Sequence, residues 1–112
     1  MHGTQDVSAS TFLTKMRLVG LPVVAGFEAP WSTPCRELRP VLEQLARNFA
    51  NKVEFRAVDA VEYGRLAGEL KVWNLPTLLF FRAGREARRV EGKLPFETLE
   101  AMVADFVCPP RD

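Results

Sequence analysis

Sulfur is sparse in this 112-residue chain, which has two cysteines, Cys35 and Cys108. Two cysteines cannot form the bridge framework of small secreted domains, so the fold must rest on an apolar core. Histidine is sparser still. His2 stands alone, no cluster has zinc spacing, and no metal or other cofactor is expected. Charge of one sign is lacking too: 15 Lys and Arg face 14 Asp and Glu, for a net charge of +1. That balance gives no electrostatic reason to expect nucleic acid or an anionic membrane as partner. The longest apolar run, Leu18 to Phe27, is about half of a membrane span, and Pro22 interrupts it. The first eight residues have no basic region followed by an apolar stretch, so no secretory signal is read, and the expected compartment is the reducing cytoplasm.

What is present is an ordinary globular composition, 47% apolar and 26% charged, which excludes disorder over most of the length. The length suits a single domain spanning 1–112, with 1–6 and 109–112 expected as flexible tails. Ser8 can cap a first helix to about Leu18, with Val7 and Phe12 as a hydrophobic staple. Pro22 to Phe27 is continuous, apolar and β-branched, the pattern of a strand buried on both faces. A second helix is expected from about Thr33 to Asn51, its stripe formed by Leu38, Val41, Leu42, Leu45 and Phe49, with Pro40 inside it. Val53 to Asp59 reads as a strand. Asp59 and Glu62 have capping-box spacing for a short helix carrying Tyr63, Leu66 and Leu70. Thr77 to Arg82 and Glu86 to Val90 read as a hairpin about Ala83-Gly84. The last helix opens at Pro95 and turns Phe96, Leu99, Met102, Val103 and Phe106 to the core. The order α β α β α β β α implies a three-layer α/β/α domain with a mixed sheet of four or five strands.

The sharpest local feature is Ala29-Pro-Trp-Ser-Thr-Pro-Cys35, placed where the first core strand ends and a helix begins. Sites form beyond the carboxyl ends of parallel strands, and helix N-terminal amides favour an anion there, including a thiolate. Leu75-Pro76-Thr77 precedes the third strand; its proline is either a cis bond or an ordinary trans proline at a strand start.

Element order and motifs together resemble the thioredoxin family over nearly the whole chain, roughly Val7 to Val107. The family's strand and loop, V-V-x-x-F-x-A-x-W-C-G-P-C, correspond to Val23-Val-Ala-Gly-Phe-Glu-Ala-Pro-Trp-Ser-Thr-Pro-Cys35. Pro40, Val58-Asp59, Leu75-Pro76-Thr77, the hairpin Ala83-Gly84 and Gly92 also match. The resemblance implies a thioredoxin fold and thiol–disulfide exchange on protein or peptide disulfides. These would bind extended over Trp31, Pro34, Asn74, Leu75, Pro76 and Gly92, with a reductase as a further candidate partner and a monomer or weak dimer as the expected state.

The departures bear on function. In the family the first cysteine of C-x-x-C attacks and the second resolves the mixed disulfide. Here Ser32 holds the attacking position, and Cys35 is the resolving-type thiol. A serine hydroxyl is not ionised near neutral pH, so turnover is expected to be lost or strongly impaired. Ser32 has three readings: a replacement of cysteine in a natural W-C-T-P-C loop, a native residue of a member that binds without redox turnover, or a plain N-cap, which is compatible with both. Gly26 stands where the family has a buried aspartate, Ala57 where a lysine is expected, and Glu28 where it has a second tryptophan. Glu28 points to the same face as Gly26. Its carboxylate is either a proton-transfer group that fills the room left by Gly26 and tunes Cys35, or a partly exposed strand-end glutamate. Alternatives to an oxidoreductase are a peptide-binding or chaperone-like module and a single-thiol sensor working through Cys35. No Cys35–Cys108 disulfide is expected, because the topology puts Cys108 at the opposite pole. Trp73 is either an extension of the apolar rim or a packing residue. Arg82, Arg85, Arg88 and Arg89 read as a solvated edge.

Overall fold

The apolar run Val23–Phe27 forms the heart of a sheet because it has no polar face to give to water. In the computed structural model, which describes residues 6–108, the chain runs α1 (Ala9–Leu18), β1 (Val23–Glu28), α2 (Thr33–Asn48), β2 (Glu54–Asp59), α3 (Gly64–Glu69), β3 (Thr77–Arg82), β4 (Arg85–Glu91) and α4 (Phe96–Val107). The sheet order is β2-β1-β3-β4. β1 pairs parallel with β2 and antiparallel with β3, placing Gly26 beside Ala57 on one side and Leu78 on the other. Helices cover both faces, as the resemblance implies, and among the described residues the sheet has four strands.

Alternation along the strands divides the core in two. Val23, Ala25, Phe27, Leu79 and Phe81 face Phe12 and Met16 of α1 and Leu66 of α3. Val24, Leu78, Phe80 and Val90 face Leu38 and Leu45 of α2 and Leu99, Val103 and Phe106 of α4. The rings of Phe12 and Phe81 meet edge to face at 5.7 Å, and those of Phe80 and Phe106 at 5.1 Å. Such pairs contribute about 0.5–1.5 kcal/mol each beyond the area they bury.

Helix ends follow local chemistry with two exceptions. Ser8 Oγ accepts the Thr11 amide at 3.2 Å, as its N-cap role requires. α2 stops at Asn48 rather than Asn51, because Asn51 takes φ +70° and the amides of Lys52 and Val53 turn back to the Phe49 carbonyl. Asp59 does not start α3. Its carboxylate holds the preceding turn, accepting from Val61 at 2.8 Å and Glu62 at 3.2 Å. The cap of α3 comes from far along the chain: Asp6 accepts the amides of Arg65 at 2.8 Å and Leu66 at 3.2 Å. Asp6 is therefore an anchored residue and not part of a tail; the rest of the expected tails, 1–5 and 109–112, and His2 with them, lie outside the described residues.

The hairpin arginines also depart from expectation. Arg89 donates to the carbonyls of Leu70 at 2.7 Å and Lys71 at 2.8 Å, beyond the end of α3, and pairs with Glu86. Arg82 donates to the Phe106 carbonyl and lies 4.7 Å above the Phe106 ring. Both tie the hairpin to helices, so of the four arginines Arg85 and Arg88 alone are exposed.

Candidate functional site

The loop Ala29–Ser32 leaves the carboxyl end of β1 and turns directly into α2. The Ser32 amide donates to the Ala29 carbonyl at 3.1 Å, which closes the turn. Ser32 then caps α2, its Oγ accepting the Cys35 amide at 3.4 Å. Pro34 follows in the first turn, where a missing N–H leaves no intrahelical bond unmade. Arg36 reinforces the loop by donating to the Pro30 carbonyl and to Thr33 Oγ1, both at 3.1 Å.

Orientation separates the residues of this loop. Trp31 is 66% exposed and Pro34 lies at the surface, whereas Cys35 is only 1% exposed. The thiol points inward because position 35 is one turn before position 38, and Leu38 lies in the core.

The second loop leads into β3. The Leu75–Pro76 bond is cis, Pro76 is buried, and its carbonyl accepts the Gly92 amide at 2.7 Å. Gly92 needs φ +86° to make that approach, a conformation that suits glycine. Thr77, fully buried, donates its hydroxyl to the Asn74 carbonyl, which satisfies the group in the core. Asn74 is exposed and donates to Glu91 Oε1 at 3.1 Å. Trp73 is 70% exposed, so it belongs to the rim and not to the packing.

Cys35, Pro76 and Glu28 are brought together around one small chamber of about 20 Å³, walled also by Gly26, Leu42 and Leu78. That volume holds a single water. The room above Gly26 is not filled by Glu28. A Cβ there would lie 3.2 Å from Leu78 Cδ2 and 3.4 Å from Leu42 Cδ1, so leucine methyls take that space. Glu28 lines the chamber, and its carboxylate pairs with Arg39 at 2.9 Å. Arg39 is held above its ordinary pKa by that hydrogen bond and by the charge of Glu28.

Arg39 went unread in the sequence, although it lies one helical turn beyond Cys35 and follows a strand that ends in a carboxylate. Both cysteines are free thiols, Cys35 buried and Cys108 exposed after α4. β3 runs from the site at Thr77 to Arg82, whose bond to the Phe106 carbonyl places the end of α4 at the far pole. Among the described residues, no three His, Cys, Asp or Glu side chains cluster as a metal site, and no helix is long and apolar enough to cross a membrane.

The comparisons with known proteins agree with this geometry. The family model for thioredoxin matches residues 4–105. The chain belongs to the thioredoxin family. It is similar to thioredoxin M4, chloroplastic, of Arabidopsis thaliana, 33% identical over 102 residues, covering 91% of this chain and 53% of that protein. It is 31% identical over 99 residues to thioredoxin 1 of a Nostoc species, covering 88% of this chain and 92% of the relative. It is 37% identical over 86 residues to the thioredoxin of Alicyclobacillus acidocaldarius, covering 77% and 82%. Against the chloroplast thioredoxins of Arabidopsis thaliana and Spinacia oleracea, the chain spans a little over half the relative's length. This is thus a thioredoxin-type protein, with Ser32 at the head of the loop that corresponds to the family's C-x-x-C.

Proposed function

We propose that this thioredoxin-type protein holds disulfide-bearing proteins or peptides in extended form across Trp31, Pro34, Asn74, Leu75, Pro76 and Gly92, and that, with serine at position 32, it does not turn them over efficiently. One observation carries the reading. The Ser32 hydroxyl is engaged as an N-cap to Cys35, while the only sulfur in the loop is 99% buried beneath it. Disulfide exchange needs a thiolate that can reach the substrate sulfur. A neutral hydroxyl cannot be that nucleophile, and a thiol this deep can act only after another group has opened the bond.

Two loops support docking. The Ser32–Ala29 bond closes the loop that carries exposed Trp31, and the Gly92–Pro76 bond holds the cis proline, which shares a chamber wall with Cys35. An extended chain gains main-chain hydrogen bonds along such an edge, and exposed indoles bury much surface at small entropic cost. Glu28, on the wall of the Cys35 chamber, serves in this reading as a proton-transfer group for that thiol through a bridging water. A reductase and a reducing, cytoplasmic setting belong to the same reading, on the family's chemistry and the sparse cysteine content.

The test is a disulfide-reduction assay with this chain and with Ser32→Cys. Turnover near background for the chain and several orders of magnitude higher for Ser32→Cys is the expected result, given what loss of a nucleophile does to other enzymes. Efficient turnover by the chain itself overturns the proposal. Peptide binding by both forms with turnover by neither favours the second reading, a peptide-binding module, for which the exposure of Trp31 and Trp73 is the supporting observation.

A further inference from the structure

The near-neutral net charge of the chain hides a separation between its two ends. Val23 pairs with both Glu54 and Phe81, so the starts of β1 and β2 and the end of β3 share one end of the sheet. The loops that carry Trp31, Cys35 and Trp73 lie at the other. Six cations gather at the first end. Lys15 and Arg17 stand in the last turn of α1 and Arg47 in the last turn of α2. Lys52 precedes β2, and Arg82 and Arg85 flank the hairpin turn. Among the described residues, none of the six is in an ion pair. Of the acids nearby, Glu54 pairs with Arg56 and Glu86 with Arg89, which leaves Asp105 beside Phe106 in α4. Residues 1–5 carry no acid, and 109–112 carry one acid and one base, so the positive excess does not depend on where they lie.

Two exposed leucines stand among these cations. Leu18 ends α1 with 76% of its surface exposed, and Leu21 follows at 36%. Leu21 shares a cleft of about 240 Å³ with Arg17 and Arg82, and Arg17 shares a second cleft with Arg85. Leucines and arginines therefore form one surface. The helix macrodipole favours a cation in a last turn, which accounts for Lys15, Arg17 and Arg47. It accounts neither for Lys52 and Arg85 nor for leucines left in water.

We propose that this pole docks on the surface of a bilayer rich in anionic phospholipid. Headgroup phosphates take the cations, and Leu18 and Leu21 enter the boundary between headgroups and acyl chains. A nucleic acid offers phosphates but no apolar layer for the leucines. The side chains on which its bases stack are aromatic, and the exposed tryptophans, Trp31 and Trp73, are at the opposite pole. Among the described residues no helix is long and apolar enough to cross a membrane, so contact stays at the surface. It is reversible and weakens with salt. Docking in this orientation leaves the loops of Trp31 and Pro76 facing away from the lipid.

Co-sedimentation of the full chain with vesicles tests this, using phosphatidylcholine alone and equal parts of phosphatidylcholine and phosphatidylserine. The expected result is binding to the mixed vesicles at about 0.05 M salt, at least about tenfold weaker at about 0.5 M salt, and no binding to phosphatidylcholine alone. The double variant Lys52→Glu, Arg85→Glu should weaken it at least about tenfold. Leu18→Gln keeps the charge and a good helix former, and should weaken it at least about threefold. Circular dichroism reports that the variants stay folded. Trp31 and Trp73, the two tryptophans of the chain, should keep the emission of exposed indoles on the vesicles. Absence of binding at low salt overturns the proposal. So does binding that either variant retains in full, or a blue shift of tryptophan emission, which puts the opposite pole in the lipid. Tighter binding to a DNA duplex, unchanged by Leu18→Gln, assigns the pole to nucleic acid and also overturns it. None of these outcomes depends on thiol chemistry at positions 32 and 35, so the test stands apart from the proposed redox role.

Discussion

Ser32 Oγ accepts the backbone N–H of Cys35 at 3.4 Å. The two positions that in the family's C-x-x-C would hold the attacking and resolving sulfurs are here linked by a helix cap. Replacing Ser32 with Ala removes that cap and should lower stability by about 1 kcal/mol. Ser32→Asp should be at least as stable as the parent at neutral pH, since a carboxylate is favoured at a helix N-terminus. Urea denaturation of the three proteins measures both.

Glu69 and Asp6 cross-cap neighbouring helices. Glu69 accepts the Ala9 amide at the start of α1 at 2.7 Å, as Asp6 accepts at the start of α3. The Ala9 amide foremost, and then Arg65, hold the Glu69 carboxyl below its ordinary pKa. A depressed folded-state pKa gives stability that is complete above the ordinary value and is lost as pH falls through the folded one. Stability should therefore decline below about pH 4.5, and Glu69→Gln should flatten that part of the curve. Thermal melts of both proteins between pH 7 and pH 3, on a scale of about one carboxylate titration, provide the comparison.

Arg89 serves three acceptors, the Leu70 and Lys71 carbonyls and the Glu86 carboxylate. Arg89→Ala leaves the two carbonyls without this partner and should cost about 1–3 kcal/mol. Arg89→Lys should recover only part of the loss, because a single ammonium cannot reproduce the planar fork. Denaturant midpoints at unchanged slope report the difference.

Gly84 has φ +77°, and a Cβ there would lie 2.9 Å from Leu13 O and 2.9 Å from Arg17 Cβ. Gly84→Ala combines left-handed backbone strain with a clash against the backbone of α1, and should cost about 1–3 kcal/mol or more. A melting temperature equal to that of the parent would refute this account of the turn.

Glu28 borders the Cys35 chamber. If it acts on the thiol, Glu28→Gln removes a nearby negative charge and moves the pH profile of Cys35 alkylation to lower pH. The rate is measured in a Cys108→Ser background, and an unchanged profile would remove Glu28 from the proton-transfer role.

Much of this was legible along the chain. Val23–Phe27 could only be a doubly buried strand, because nothing in it tolerates water. Ser8, Ser32 and the Ala83-Gly84 pair act on neighbours within a few residues, so their roles follow from spacing. The same holds for the family motif, whose Trp31, Pro34, Cys35 and Pro76 are recognisable by type and order. Local chemistry misled where a closer competitor took the group: Asp59 had the spacing to cap α3 but bonds the nearer amides of Val61 and Glu62.

The sequence by itself determined the layers of the fold, the position of the candidate site and the absence of sulfur from position 32, since each depends on side-chain type and short-range order. Only the tertiary structure decided that Asp6 caps α3, that Arg39 takes the Glu28 carboxylate, and that leucine methyls fill the room above Gly26. Those contacts join residues that chain order does not pair, and which partner a charged or polar group finds depends on the distance left between elements once the apolar faces have packed.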